Sequence, residues 1–251
     1  MPLLLPVAAG LALGAVMGLL GGGGGVLAVP ILLALGLSLD AAATTSLVVV
    51  GVGAAAGLAT HARSGRVDWV IGLMFGALGS AGAIAGSRLA FAVDDRVQLA
   101  GFVVLLVLAA YGMLRRRSGP PSEGDDEPLP DPNWAVVVLL ASGVGLVTGF
   151  FGVGGGFIAV PALVLALHMP MRRASATALV VILVNVTVAF LAHGTEHVDG
   201  GLTAVVAIGT AVGAVLGAVL QPRIPSAALQ RTFGVLLLVV AAYQTAQLVL
   251  A

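Results

Sequence analysis

The stretch Gly21-Gly22-Gly23-Gly24-Gly25-Val26-Leu27-Ala28-Val29-Pro30 decides the fold, because it interrupts an apolar segment that otherwise reads as one long helix. A close copy recurs as Gly152-Val153-Gly154-Gly155-Gly156-Phe157-Ile158-Ala159-Val160-Pro161. In lipid an interrupted backbone is costly, since its free N–H and C=O groups find no water. Such a break is tolerated only where protein buries it or where it lines a cavity. The two glycine runs therefore indicate two specialised breaks inside membrane helices.

The composition identifies the class of protein. Of the 251 residues, 59% are hydrophobic and 9% are charged, and the mean hydropathy is +1.13. A soluble domain carries about 25% charged residues, so these charges are too few to cover a water-facing surface. The long apolar runs favour helices over an outer-membrane barrel. The sequence predicts an all-α polytopic membrane protein.

Other counts exclude several functions. The chain has no cysteines, so disulfides and thiolate metal sites are excluded. Its formal net charge is zero, which argues against a nucleic-acid partner. No basic region precedes the first apolar run, so we interpret this run as a mature membrane segment and not as a cleaved signal peptide. We expect no cofactor and no metal.

The chain divides into two similar halves. Residues 1–117 form a first membrane repeat, 118–133 a linker rich in proline and acidic residues, and 134–251 a second repeat within one transmembrane domain. Each repeat contains a glycine-broken helix pair followed by three transmembrane helices, giving about 8–10 membrane segments. The halves align at a constant offset, which pairs Gly24 with Gly155, Pro30 with Pro161, Gly82 with Gly213 and Gly86 with Gly217.

The arginines suggest the orientation. Cytoplasmic loops are rich in Lys and Arg. When all four basic loops (Arg63/Arg66, Arg115–Arg117, Arg172/Arg173 and Arg223) are placed inside, the number of intervening spans is consistent throughout. This assignment makes the linker cytoplasmic, puts both termini outside, and inverts one repeat relative to the other. Inverted repeats with broken helices are found in many secondary transporters.

The glycine breaks predict an anion site near the bilayer midplane. A helix N-terminus presents free N–H groups and a partial positive charge, and glycine lets the backbone approach a ligand closely. Hydroxyl and amide side chains nearby would add donors. The candidate substrate-binding residues are Gly22, Gly23, Gly24, Gly25, Pro30, Thr44, Thr45, Ser46, Gly154, Gly155, Gly156, Pro161, Ser175, Thr177 and Asn185. Because the spans contain almost no ionisable residue, we expect weak ion coupling or none.

Simpler interpretations stay open for several of these residues. The glycine runs would also suit a hinge or a helix-packing face. The hydroxyls of Thr44, Thr45 and Ser46 could bond back to helix carbonyls. His61 and His193 fit solvated, interfacial residues better than proton carriers, and Asp68 and Asp199 fit helix N-caps.

The two Gly-x-Gly-Gly-Gly-x-x-x-x-Pro boxes, each followed by a short helix and a hydroxyl-rich turn, resemble the sulfite exporter TauE/SafE family, also called the toluene sulfonate uptake permease family. The likeness covers nearly the whole chain. It implies a transporter of sulfite, sulfonates, sulfoacetate or related organosulfur anions in the inner (plasma) membrane of a prokaryote. The sulfur in the predicted substrate comes from this resemblance alone.

The leading hypothesis is thus a secondary transporter, not an enzyme, that binds a small sulfur oxyanion or organosulfonate between the breaks and works by alternating access. A passive anion channel and a non-transporting membrane subunit are the alternatives. An intramembrane enzyme would need a clustered nucleophile and base, or a metal set, within the spans. The lipid bilayer is the second expected partner, and a homodimer is a candidate assembly.

Overall fold

A computed structural model describes residues 4–90, 92–116, 133–151, 156–193 and 200–250, and these are helical with short connections. The first half contains α1 (Leu4–Leu20), α2 (Gly23–Ala34), α3 (Leu39–Ala62), α4 (Trp69–Ala90) and α5 (Asp95–Arg115). The second contains α6 (Trp134–Phe151), α7 (Gly156–Pro161, continued by a π turn at Ala162–Ala166), α8 (Met171–His193), α9 (Gly200–Leu220, followed by a 3₁₀ turn at Gln221–Arg223) and α10 (Ser226–Leu250).

The all-α polytopic prediction is confirmed. Within the described ranges, seven helices are long and apolar enough to cross a membrane, and α1, α2 and α7 with its π turn are shorter apolar helices. Large apolar side chains are exposed on the outside of the bundle, where lipid and not water would cover them. Examples are Val70, Leu73, Leu108, Leu139, Leu191, Ile208 and Val239. The linker prediction for 118–133 falls almost wholly outside the described residues.

Local signals set several helix ends. Ser38 accepts a hydrogen bond from the backbone of Ala41 at the start of α3, and Asp68 accepts one from Ile71 at the start of α4. These are N-caps, as the sequence indicates for Asp68. The apolar run of α2 continues to Leu37, but the helix ends at Ala34. Gly36, with φ of +95°, terminates the helix, and the N–H groups of Gly36 and Leu37 bond back to Leu33 and Leu32 in a Schellman pattern.

Glycine stripes let pairs of helices from the two halves pack backbone to backbone. A Cβ built on Gly10 of α1 would lie 3.1 Å from the nitrogen of Thr210, and one on Gly18 would lie 2.7 Å from that of Ala218 in α9. Residue numbers rise together, so α1 and α9 run parallel. The first helix of the second half, α6, packs in the same way on α4 of the first, where Gly82 and Gly86 face Leu146 and Phe150.

The central helices α3 and α8 run in opposite directions. A Cβ on Gly51 would meet Val186 at 3.2 Å, whereas one on Gly57 would meet Leu179 at the same distance. The outer helices α5 and α10 are also antiparallel, since Gln230 donates to the carbonyl of Arg116 and Gly234 packs on Leu114 and Ala110. Each of these four helices thus opposes its counterpart in the other half.

These directions bring most of the arginines to one end of the bundle, the arginine-rich end. Helices α3, α5 and α9 end there, and α8 and α10 begin there; the bond between Arg66 and Gln221 joins two of these segments. The arginines at this end in the described chain are Arg63, Arg66, Arg115, Arg116, Arg172, Arg173, Arg223 and Arg231, whereas Arg88 and Arg96 lie at the other.

We predict that replacing Gly14 with alanine destabilises the protein by about 1–3 kcal/mol, because a Cβ there would overlap the carbonyl of Thr210 on α9 and neither backbone can yield cheaply. Gly143→Ala is the matched control, since a Cβ at Gly143 has no neighbour within 4 Å. Unfolding in detergent micelles measures both. Equal stability of the two variants would contradict the packing described here.

Candidate functional site

The first glycine break involves only Gly21 and Gly22, fewer residues than the glycine run contains. Helix α1 ends at Leu20, and Gly21 takes φ of +74°, donating its N–H to the carbonyl of Met17. Only glycine adopts this left-handed geometry cheaply. Gly22 is the N-cap of α2 without any side chain to cap it, and α2 begins at Gly23. The run of glycines suggested a loop, but Gly23, Gly24 and Gly25 form the first turn of α2.

The two glycine breaks meet. A Cβ on Gly22 would overlap the carbonyl group of Gly156 and lie 3.0 Å from the nitrogen of Phe157. A Cβ on Gly156 would lie 3.2 Å from the Cα of Gly22. The N-cap of α2 and the first residue of α7 thus lie side by side, at a distance so short that only glycine fits at both positions. Gly154 and Gly155 lie outside the described residues.

Apolar side chains surround this meeting point. Cβ atoms on Gly23, Gly24 and Gly25 would face Leu236, Met17 and Val50, and one on Gly156 would face Ile182. Backbone N–H groups at the start of α2 have no intrahelical acceptor, and their partial positive charge is strong where water is excluded. The arrangement can bind an anion through the backbone alone.

Ser175 is the predicted hydroxyl that lies beside the first break. A Cβ on Gly21 would be 2.8 Å from the Cα of Ser175. Its hydroxyl donates to the carbonyl of Arg172 at 3.1 Å and accepts from Nε2 of Gln221 at 2.7 Å. The Thr177 hydroxyl accepts from the backbone N–H of Asp68 at 3.1 Å. Both hydroxyls therefore have bonds within the protein, at the arginine-rich end.

Thr44, Thr45 and Ser46 lie toward the opposite end, in the first turns of α3. Thr44 donates to the carbonyl of Asp40 at 2.9 Å, and Ser46 to that of Ala43 at 2.7 Å. These are the back-bonds to the helix that the sequence left open. The buried Thr45 pairs with Thr203 of α9 at 3.4 Å. The structure thus places this group and the Ser175 group at opposite ends of the bundle.

The remaining predicted residues lie within helices. Asn185 of α8 accepts a hydrogen bond from Ser80 of α4 at 3.0 Å. Close to it in sequence, Leu183, Val184, Thr187 and Val188 line a shallow, open depression. Pro30 lies inside α2, and the buried Pro161 ends α7 where the π turn begins. Because proline has no N–H, Pro161 removes one helical bond at that transition.

Sequence reasoning missed two side chains that hold the end of α1. His61 was expected to be solvated; instead it is 1% exposed, and its Nε2 lies 3.0 Å from the carbonyl oxygen of Gly18. Gln221, 0% exposed, donates to the carbonyl of Leu19 at 2.9 Å and accepts from Arg66 at 3.2 Å. A polar residue directly after the apolar run of α9 was the signal for Gln221, but no local pattern links it to α1.

Within the described residues, no group of three His, Asp or Glu side chains is placed to hold a metal ion. The prediction for the His193 loop falls on residues 194–199 and on the His193 side chain, which the structure does not describe.

Comparison with known proteins places the chain in a family. Residues 6–244 match the family model described as sulfite exporter TauE/SafE. A probable membrane transporter protein of Xylella fastidiosa (strain Temecula1 / ATCC 700964) is 33% identical over 264 residues, covering 96% of this chain and 94% of that protein. The probable membrane transporter protein YdhB of Bacillus subtilis (strain 168) is 29% identical and covers 87% and 90%. No solved structure matches the chain.

Three findings indicate the same class of protein. The helices are long enough to cross a membrane, the family model matches nearly the full length, and the relatives are named as membrane transporters. The protein is a multi-pass membrane transporter and not an enzyme, and the chain belongs to the sulfite exporter TauE/SafE family.

Proposed function

We propose that the protein is a secondary transporter of a small sulfur-containing anion, such as sulfite, a sulfonate or sulfoacetate, in the inner membrane of a prokaryote. The anion binds between the two helix breaks near the bilayer midplane, and the two ends of the bundle open in turn. The family description, sulfite exporter, supports the substrate class. The names of the relatives support transport without specifying a substrate.

The observation that carries this proposal is the approach of Gly22 to Gly156. Two helix N-termini that lie side by side in an apolar setting offer free backbone N–H groups without a cationic side chain. An oxyanion with three or four oxygens needs several donors around it, and backbone amides supply them. Gly154 and Gly155 complete the proposed site on the second break, and Gly23, Gly24 and Gly25 on the first.

Inverted repeats provide the two-state element that alternating access requires. A two-fold axis in the membrane plane would produce two features of this bundle. The pairs α3–α8 and α5–α10 are antiparallel, and the first helix of each half packs on the fourth helix of the other half. Rocking one repeat against the other would then expose the same site to either side. A channel on this scaffold is the competing function, and saturation of the flux separates the two.

Transport itself can be measured with the purified protein. Proteoliposomes containing the protein should take up radiolabelled sulfite or a labelled sulfonate, with saturable kinetics and stimulation by unlabelled anion on the opposite side. Ohmic single-channel currents in a planar bilayer would instead favour the channel. The proposal would be refuted if no sulfur anion entered the proteoliposomes faster than it enters empty vesicles.

The proposed anion site can be tested by adding one methyl group to the break. Gly22→Ala should lower this flux by about tenfold or more, because the added methyl group would force the backbones of Gly22 and Gly156 apart and displace the proposed donors. A loss of about 1.4 kcal/mol in anion binding is a factor of ten. Gly143→Ala, whose Cβ meets nothing, is the control and should transport normally. A folded Gly22→Ala protein with wild-type flux would show that the anion binds elsewhere.

The proposed orientation in the membrane can be tested by labelling from one side. The arginine-rich end should face the cytoplasm, with the linker 118–133 inside and both termini outside. Because the chain has no cysteine, single cysteines report sidedness cleanly. In intact cells an impermeant maleimide should label Ala92→Cys, which is at the opposite end, and spare Ser122→Cys in the linker. The reverse pattern would invert the proposed topology.

A further inference from the structure

We propose that His61 is a proton-binding site that controls the opening of the arginine-rich end. Together with Gln221 it forms a latch on the last turn of α1, just before the glycine break. The latch is defined by the bonds from His61 to Gly18 and from Gln221 to Leu19. It regulates the transport proposed above, and in that respect rests on the proposed function.

The latch exists because a helix end leaves carbonyl groups without partners. The last four carbonyls of α1 have no N–H from their own helix. Met17 receives the N–H of Gly21, Gly18 receives Nε2 of His61, and Leu19 receives Nε2 of Gln221. Two of these donors come from α3 and from the turn after α9, so both segments are tied to the end of α1.

The bond geometry fixes where the proton of neutral His61 sits. A carbonyl oxygen can only accept, so Nε2 carries the hydrogen and Nδ1 carries the lone pair. Nδ1 is buried and has no hydrogen-bond partner. A second proton would have to bind Nδ1, where it would create a buried, charged and unpaired N–H group.

That protonated state does not fit the closed latch. The negative end of the α1 dipole would favour it, but this attraction is weaker than the cost of burying an unpaired ionised donor. Arg66, in the loop after α3, adds repulsion. The other charged groups on neighbouring segments are Arg63, Asp68, Arg172, Arg173 and Arg223, while α1 and α9 contain no titratable residue. Proton binding to Nδ1 therefore favours a state in which water reaches the ring.

Opening at this point would act on the proposed anion site directly. Leu20, the last residue of α1, is 3% exposed, and the break at Gly21 and Gly22 follows it. Separating α1 from His61 and Gln221 would free the break from Ser175, against which Gly21 packs. The proton would thus promote access from the arginine-rich side without any buried carboxylate.

The test measures access to Leu20 as a function of pH. Leu20→Cys is the sole thiol in the chain, and its maleimide labelling in micelles is divided at each pH by the rate for the same protein unfolded in detergent. We expect the normalised rate to rise about tenfold between pH 8 and pH 5.5, within the limit of one linked proton. His61→Gln keeps an amide donor for Gly18 but cannot titrate, so its rate should be independent of pH. His168→Gln, at an exposed histidine, should behave like the parent.

Two results would overturn the inference: a normalised rate that does not depend on pH in the parent, or the same dependence in His61→Gln. Hydrogen exchange of residues 18–25, corrected for intrinsic rates, gives the same comparison in the cysteine-free protein if Leu20→Cys does not fold. Absence of anion flux with the His61 effect intact would refute the proposed function and leave the latch standing. Anion flux together with no effect of His61→Gln on the pH dependence would refute the latch and leave the proposed function standing.

Discussion

The structure depends on the contact between Gly22 and Gly156. An interrupted membrane helix must satisfy its free backbone groups inside the protein, and here the two interruptions lie against each other. A single methyl group at Gly22 would occupy the position of the Gly156 carbonyl. This contact places one break against the other, so each half helps to bury the interrupted backbone of its partner half.

The same constraint recurs along the bundle. Lipid offers no hydrophobic driving force between helices, so close packing and backbone proximity stabilise their association. The glycines of α1 and α4 let these helices approach α9 and α6 until backbones touch. Both interfaces join a helix of one half to a helix of the other.

Much of the fold could be predicted from residue pattern because membrane helices have few options. The apolar runs, the duplication and the Asp68 cap all gave correct elements, with ends displaced where a specific residue intervened, as Gly36 does for α2. The candidate site was harder to predict. The glycine pattern did not indicate that Gly23, Gly24 and Gly25 belong to a helical turn. For Thr44 and Ser46, the structure shows the back-bonds to helix carbonyls that the sequence left open as an alternative.

Long-range contacts account for the rest of what was missed. His61 and Gln221 are polar residues near helix ends, which in sequence look solvated, and their burial follows from the crossing of α1 with α3 and α9. We propose that backbone amides at the paired breaks hold the anion. A structure of the protein with selenite, a heavier analogue of sulfite, would locate the bound anion through the anomalous signal of selenium. We expect one peak between Gly22 and Gly156, whereas a peak among the arginines, with none at the breaks, would refute the proposal.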